Sequence, residues 1–382
     1  MPIAFPHSFD CCLIWSDEKK AVPLTTSKVL SFDNKSKKKK FFLCFVLTYS
    51  YLCTLKTTYS YNLISKTSFL FINNLWVMKT KLFFALMVVF TMKAGAVFAQ
   101  TKSTELEEGG TGPYKAIMYE VDGFGEHTVF APKDLSKFNA KNPLPVLVWG
   151  NGGCANSPRG HEKFLNDIAS YGYIVLATGV MPAEGAPRGM GGGMGMGSQS
   201  RTEQQVESMD WAFVQNEDKN SPYYQKIDTK NICIAGMSCG GLQALFNCFD
   251  KRVTSIMICN SGLLNDGGNS PMGGMPSVPK DKLKDIHCPI MYMLGGESDI
   301  AYANGMDDFK RISHVPAIAV NLPVGHGGTY NQPHGGEFAI VARAWLDWQL
   351  KGDKDASKMF VGDAPAILQR PDWKLEKNAK VK

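Results

Sequence analysis

The stretch Gly236-Met237-Ser238-Cys239-Gly240 constrains the fold of this chain more than any other. Ahead of it, Asn231-Ile232-Cys233-Ile234-Ala235 is a short apolar run with two β-branched isoleucines, the composition of a strand covered on both faces of a parallel sheet. Behind it, Gly241-Leu242-Gln243-Ala244-Leu245-Phe246 carries apolar residues at helical spacing. A strand that enters a helix through Gly-x-Ser-x-Gly must turn sharply. The small glycines let neighbouring backbone pass closely, and the strained turn lifts the serine hydroxyl clear of the sheet. The plainer alternative is a glycine-rich turn whose serine only caps the helix.

The first hundred residues read as a separate problem. From Met78 the chain runs through Lys79-Thr80-Lys81, the apolar core Leu82-Phe83-Phe84-Ala85-Leu86-Met87-Val88-Val89-Phe90 and the small-residue site Val97-Phe98-Ala99. That order is a signal peptide cleaved near Ala99, with an apolar core too short to span a bilayer comfortably. No cysteine closely follows the core, which argues against a lipoprotein anchor. A signal peptide belongs at a chain start, so translation is expected to begin at Met78, with residues 1–77 a disordered, spurious upstream extension. A rival membrane anchor at residues 41–53 falls short of the roughly 20 apolar residues a spanning helix needs. Charge divides at the same place. Residues 1–99 hold 13 Lys+Arg and 4 Asp+Glu, whereas residues 100–382 hold 28 and 31. The basicity lies in the leader and says nothing of nucleic acid. Six cysteines remain in the mature part, Cys154, Cys233, Cys239, Cys248, Cys259 and Cys288, without zinc spacing or a compact disulfide framework.

Residues 100–382 alternate strand and helix patterns and predict one α/β domain. Residues 114–121 and 127–130 are expected as opening antiparallel strands. Further strands are expected at 145–150, 173–178, 231–235, 255–259, 289–294 and 316–322. Helices are expected at 160–171, at 201–215 with apolar Val206, Met209, Trp211, Phe213 and Val214, and at 337–350 with Trp345 and Trp348. This order implies a mostly parallel, doubly wound sheet with helices on both faces and ligands at the carboxyl ends of its strands.

The turn at Ser238, the run Gly295-Gly296-Glu297-Ser298-Asp299, the turn Val324-Gly325-His326-Gly327-Gly328 and the closing segment 344–352 resemble the α/β-hydrolase superfamily. They are most similar to its secreted dienelactone-hydrolase-like, polyester-hydrolase-like and acetylxylan-esterase-like branch, over residues 113–365. The resemblance implies the α/β-hydrolase fold and a serine hydrolase whose nucleophile, acid and base follow in that order.

The chemistry asks for the same parts. A serine hydroxyl needs a base to take its proton, and a carboxylate must hold that base in the right tautomer. Ser238 is the candidate nucleophile, His326 after the last strand the base, and Asp299 after the preceding strand the acid. His334 is a rival base, and Glu297 and Asp307 are rival acids. An oxyanion needs two backbone N–H groups. One is expected from Cys239, the other from Asn151-Gly152-Gly153-Cys154, a turn resembling the His-Gly-Gly turn of esterases with Asn in place of His. Cys154 is the preferred donor there, with Gly153 the alternative. Amides of Cys154 and Cys239 converging on one oxygen bring their Cα atoms within disulfide range, so a Cys154–Cys239 bridge stands against two reduced, buried thiols. Cys233 and Cys259 fall in core strands and are expected as small buried hydrophobes.

Two loops, 189–197 with Met190, Met194 and Met196, and 271–276 with Met272 and Met275, are expected on the catalytic rim. They read as an adaptable apolar lip for acyl groups or as plain flexible loops. No histidine or cysteine accompanies these thioethers, so no metal is expected there. No phosphate-cradling loop or other cofactor motif occurs, and no cofactor is expected. The leading expectation is a secreted or periplasmic serine ester hydrolase acting on acylated polysaccharide or small acyl esters, with no nucleic-acid partner and no membrane association in the mature form. A serine peptidase of the same fold and a non-catalytic binding protein on the same scaffold are the alternatives.

Overall fold

A computed structural model describes residues 13–14, 22–23, 100–183, 199–265 and 278–382. The chain divides into two units, Met1–Phe90 and Thr91–Lys382. Within the first, β1 (Leu13–Ile14) and β2 (Val22–Pro23) pair antiparallel. The proposed leader and signal segments otherwise lie outside the described residues, as do Met190, Met194, Met196, Met272 and Met275. No helix of the described residues is long and apolar enough to cross a membrane.

The second unit is an α/β structure built on one ten-stranded, mostly parallel sheet. Its strands are β3 (Gln100–Thr104), β4 (Ala116–Val121), β5 (His127–Pro132), β6 (Leu144–Gly150), β7 (Ile174–Thr178), β8 (Ile227–Met237), β9 (Ser255–Cys259), β10 (Ile290–Leu294), β11 (Ala317–Asn321) and β12 (Lys374–Lys377). Their spatial order is β3-β4-β5-β7-β6-β8-β9-β10-β11-β12. The six strands from β7 to β11 in that order are parallel. Antiparallel β3, β4 and β5 flank one side and β12 the other.

Side-chain alternation assigns each strand residue to one of two cores. Val146, Val148, Ile232, Ile234, Ile256 and Ile258 face one, while Leu147, Trp149, Cys233, Ala235, Met257 and Cys259 face the other. The first core is closed by α2 (Gln204–Glu217), α3 (Cys239–Asn247) and α4 (Tyr302–Arg311), and the second by α1 (Glu162–Ser170) and α5 (Gly336–Lys351). Helices therefore cover both faces, which is why the parallel strands read as continuous apolar runs. In α2, Met209 and Trp211 are buried but Val214 is exposed. Five apolar residues within nine positions spread too widely around a helix to share one face.

Register positions the site. Val146 pairs with Ile232 and Gly150 with Gly236, so β6 and β8 end level with each other. The loops leaving β6, β8, β9, β10 and β11 then open at one edge of the sheet. Trp345 of α5 is buried in the second core at the opposite, amino-terminal end of the parallel strands, where its Nε1 donates to Ser255 Oγ at 3.0 Å. Trp345→Ala is expected to lower the free energy of unfolding by about 3–5 kcal/mol through the cavity it leaves. A fall in the urea midpoint checks this, and an unchanged midpoint would show that the second core tolerates the void.

Candidate active site

Ser238 connects β8 directly to α3, at φ 54° and ψ −118°. Such a backbone costs a non-glycine residue about 1–3 kcal/mol and persists only when its surroundings hold it. Here they do. A Cβ on Gly236 would lie 2.3 Å from the Gly240 carbonyl oxygen, and one on Gly240 would lie 2.1 Å from the Gly150 carbonyl group. The Ser238 amide donates to the Cys259 carbonyl at 3.0 Å. The Ser238 carbonyl accepts from Ser261 Oγ at 2.7 Å and from the amides of Gly241 and Leu242.

His326, in the loop after β11, lies with Nε2 2.9 Å from Ser238 Oγ and Nδ1 2.6 Å from Asp299 Oδ1. An ionised carboxylate only accepts, so Nδ1 carries the proton and Nε2 is free to accept from the serine hydroxyl. The Asp299 side chain is fully buried, whereas that of His326 is 27% exposed and open to a substrate. Burial would raise the Asp299 pKa. Hydrogen bonds from His326, the amides of Ala301 and Gly295, and Asn260 outweigh it and hold the carboxyl below its ordinary value.

The turn after β6 is a short helical turn, Gly152–Cys154, with Gly153 at φ 64° and Cys154 at φ 49°. Cys154 and Cys239 form a disulfide, with Cα atoms 5.1 Å apart. The bridge joins this turn to the first residue of α3, where backbone N–H groups lack intrahelical acceptors. Asn151 braces the turn from within: its Nδ2 donates to the carbonyls of Thr178 at 2.7 Å and Ala155 at 3.0 Å. Ser200 supports the far side, its amide donating to the Cys154 carbonyl at 2.8 Å. Cys233, Cys248, Cys259 and Cys288 are free and buried.

The structure therefore brings Ser238, His326, Asp299, Cys239, Gly153 and Cys154 to one edge. The rivals stand apart from this chain of contacts. His334 is bound through its own amide to Glu107 at 2.7 Å, and Asp307 pairs with Lys280 and Arg311. Glu297 is exposed in the turn ahead of Asp299. Another imidazole, His161, is buried against Trp149 and Tyr330, and burial lowers its pKa to about 3. It is neutral at working pH. Sequence reasoning missed Asn260 and Ser261, which hold the acid and the turn; the only local signal was their place directly after a buried strand. No protein-family model matches the chain, and no curated protein matches it.

Two outcomes follow from this geometry. Thiol titration of the denatured, unreduced residues 100–382 is expected to find four thiols, and six would remove the bridge. The depressed Asp299 pKa makes its ionised form a source of native stability that is complete above its ordinary value of 3.8 and disappears as pH falls through the lower folded value. The stability gap between wild type and Asp299→Asn is therefore expected to be constant from neutral pH down to about 4 and to narrow below it. Denaturant midpoints across pH check this, and a gap that widens in acid would reverse the sign.

Proposed function

We propose that this chain is a secreted serine carboxylic-ester hydrolase of the α/β-hydrolase fold. The observation that carries the reading is His326 bridging Ser238 Oγ at 2.9 Å and Asp299 Oδ1 at 2.6 Å. Ser238 follows β8 within the parallel block, and the acid and base lie in the loops after β10 and β11 at the same edge, an order that supports the α/β-hydrolase assignment. His326 takes the Ser238 proton as Oγ attacks the ester carbonyl, and Asp299 stabilises the imidazolium that forms. The amides of Cys239 and of Cys154, or of Gly153, receive the oxyanion. His326 then returns the proton to the departing alcohol, leaving an acyl-serine that water cleaves by the same steps.

The substrate is a small acyl ester or an acylated polysaccharide. Exposed aliphatic side chains on this edge favour an apolar acyl arm: Ile300 beside Asp299 is 76% exposed, and Val324 near His326 and Val180 after β7 are each 41% exposed. p-Nitrophenyl esters of increasing acyl length test the reading. Wild type is expected to cleave the short esters, and Ser238→Ala to lose at least about 10⁴-fold in kcat. Equal inactivity of both proteins, with Ser238 unlabelled by a fluorophosphonate, would leave a binding protein on this scaffold. Turnover of peptide amides in preference to esters would make it a peptidase.

A further inference from the structure

We infer that Asn260 and Tyr330 form a positioning relay behind Asp299, which sets the direction of the carboxylate and through it the reach of His326. The inference rests on the serine-hydrolase reading of the site. Asp299 Oδ1 is occupied by His326 Nδ1 and the Ala301 amide, and Oδ2 by Asn260 Nδ2 at 2.8 Å and the Gly295 amide at 3.0 Å. Three of these donors belong to the loops of Asp299 and its base. Asn260 is the donor contributed by a third strand end, that of β9, and it lies at φ 42°, a backbone Asn tolerates better than most residues.

An amide side chain has a donor end and an acceptor end, and only the donor end suits a carboxylate. The Asp299 carboxylate and the Gly325 carbonyl at 3.3 Å, both acceptors only, take the Nδ2 end, and Tyr330 locks the other end, its hydroxyl donating to Asn260 Oδ1 at 2.6 Å. Turned over, the amide would set Oδ1 against the carboxylate and two N–H groups against the tyrosine hydroxyl. Asn260 and Tyr330 are both buried, so water does not readily replace either contact. The titratable groups facing this assembly are His326 from the loop after β11, Asp299 from the loop after β10, the Tyr330 hydroxyl, the Cys259 thiol of β9 against that hydroxyl, and the His161 ring, neutral and edge-on to the Tyr330 ring at 5.0 Å. Burial pushes Tyr330 and Cys259 upward, so both stay neutral donors over the working range.

The test is a double-mutant cycle on the full chain, using p-nitrophenyl acetate turnover and the rate of fluorophosphonate labelling. Asn260→Ala is expected to lower kcat about tenfold to a hundredfold, the effect of losing a hydrogen bond to a charged group, with KM within about twofold. Tyr330→Phe, which keeps the packed ring, is expected to lose about threefold to tenfold with the same signature. The double variant is expected to be no slower than Asn260→Ala, because Tyr330 acts only through Asn260. Multiplicative losses, or losses confined to KM, would overturn the relay.

A second readout does not depend on turnover. The His326 Nδ1 proton is expected as a downfield resonance in wild type that moves upfield or broadens in Asn260→Ala and Tyr330→Phe. If wild type neither turns over nor labels, the ester-hydrolase reading falls, and this resonance still judges the relay. An unchanged resonance in Asn260→Ala would overturn it.

Discussion

Three backbones meet where β6, β8 and α3 join, and the rest of the site depends on that contact. Gly150, Gly236 and Gly240 approach so closely that a methyl group on either Gly236 or Gly240 would overlap main-chain atoms. The approach lets a helix begin with only one residue between it and the strand, which puts Ser238 at a positive φ with its side chain beyond the sheet edge. The strain is held from three directions. Cys259 takes the amide, Ser261 and α3 bind the carbonyl, and the disulfide ties Cys239 across to the neighbouring turn. A serine held this way loses little further freedom on meeting a substrate.

Electrostatics separate the two buried-edge imidazoles by their partners. His161 has aromatic rings around it, and burial keeps it neutral. His326 has a carboxylate on one nitrogen and a hydroxyl on the other. Burial of the Asp299 side chain works against its charge, and the four hydrogen bonds its two oxygens accept outweigh that and hold the carboxyl below its ordinary value. The negative charge beside His326 is therefore maintained by neutral donors on three loops.

Much of this was legible in the sequence because parallel strands covered on both faces are continuous apolar runs. Residues 145–150, 255–259 and 289–294 show that pattern, and each becomes a strand within a residue of the expected bounds. The edges were not legible. β3 is Gln-Thr-Lys-Ser-Thr and β12 is Lys-Leu-Glu-Lys, mostly polar segments that pair at the sheet margins; Leu375 is the one apolar residue of β12 packed against a core. Helix α4 was missed because Gly305 interrupts its pattern, and that glycine is needed where a side chain would meet the Ser261 carbonyl oxygen at 2.7 Å. The grouping of Ser238, Asp299 and His326 was readable because each follows a strand end. Asn260 and Tyr330 were not, since their contact spans 70 residues and has no local period.

The proposed oxyanion turn poses a different physical problem from the proposed triad. Hydrogen bonds orient Ser238, His326 and Asp299 because each group has a complementary partner. Two amides that must both point at an incoming oxygen cannot be aligned by bonding to each other. Their spacing has to come from something else, and here a covalent bridge sets 5.1 Å between their Cα atoms. Closing 85 residues of sequence this way also restricts the unfolded chain, by about 4–5 kcal/mol in the chain-entropy model. Asn151 completes the arrangement from below, spending its side-chain donors on the Thr178 and Ala155 carbonyls. A histidine has no second hydrogen on one nitrogen with which to bind two such carbonyls, so the asparagine at this position has a structural reason: it holds the turn's fold, and the disulfide holds the turn's distance from Cys239.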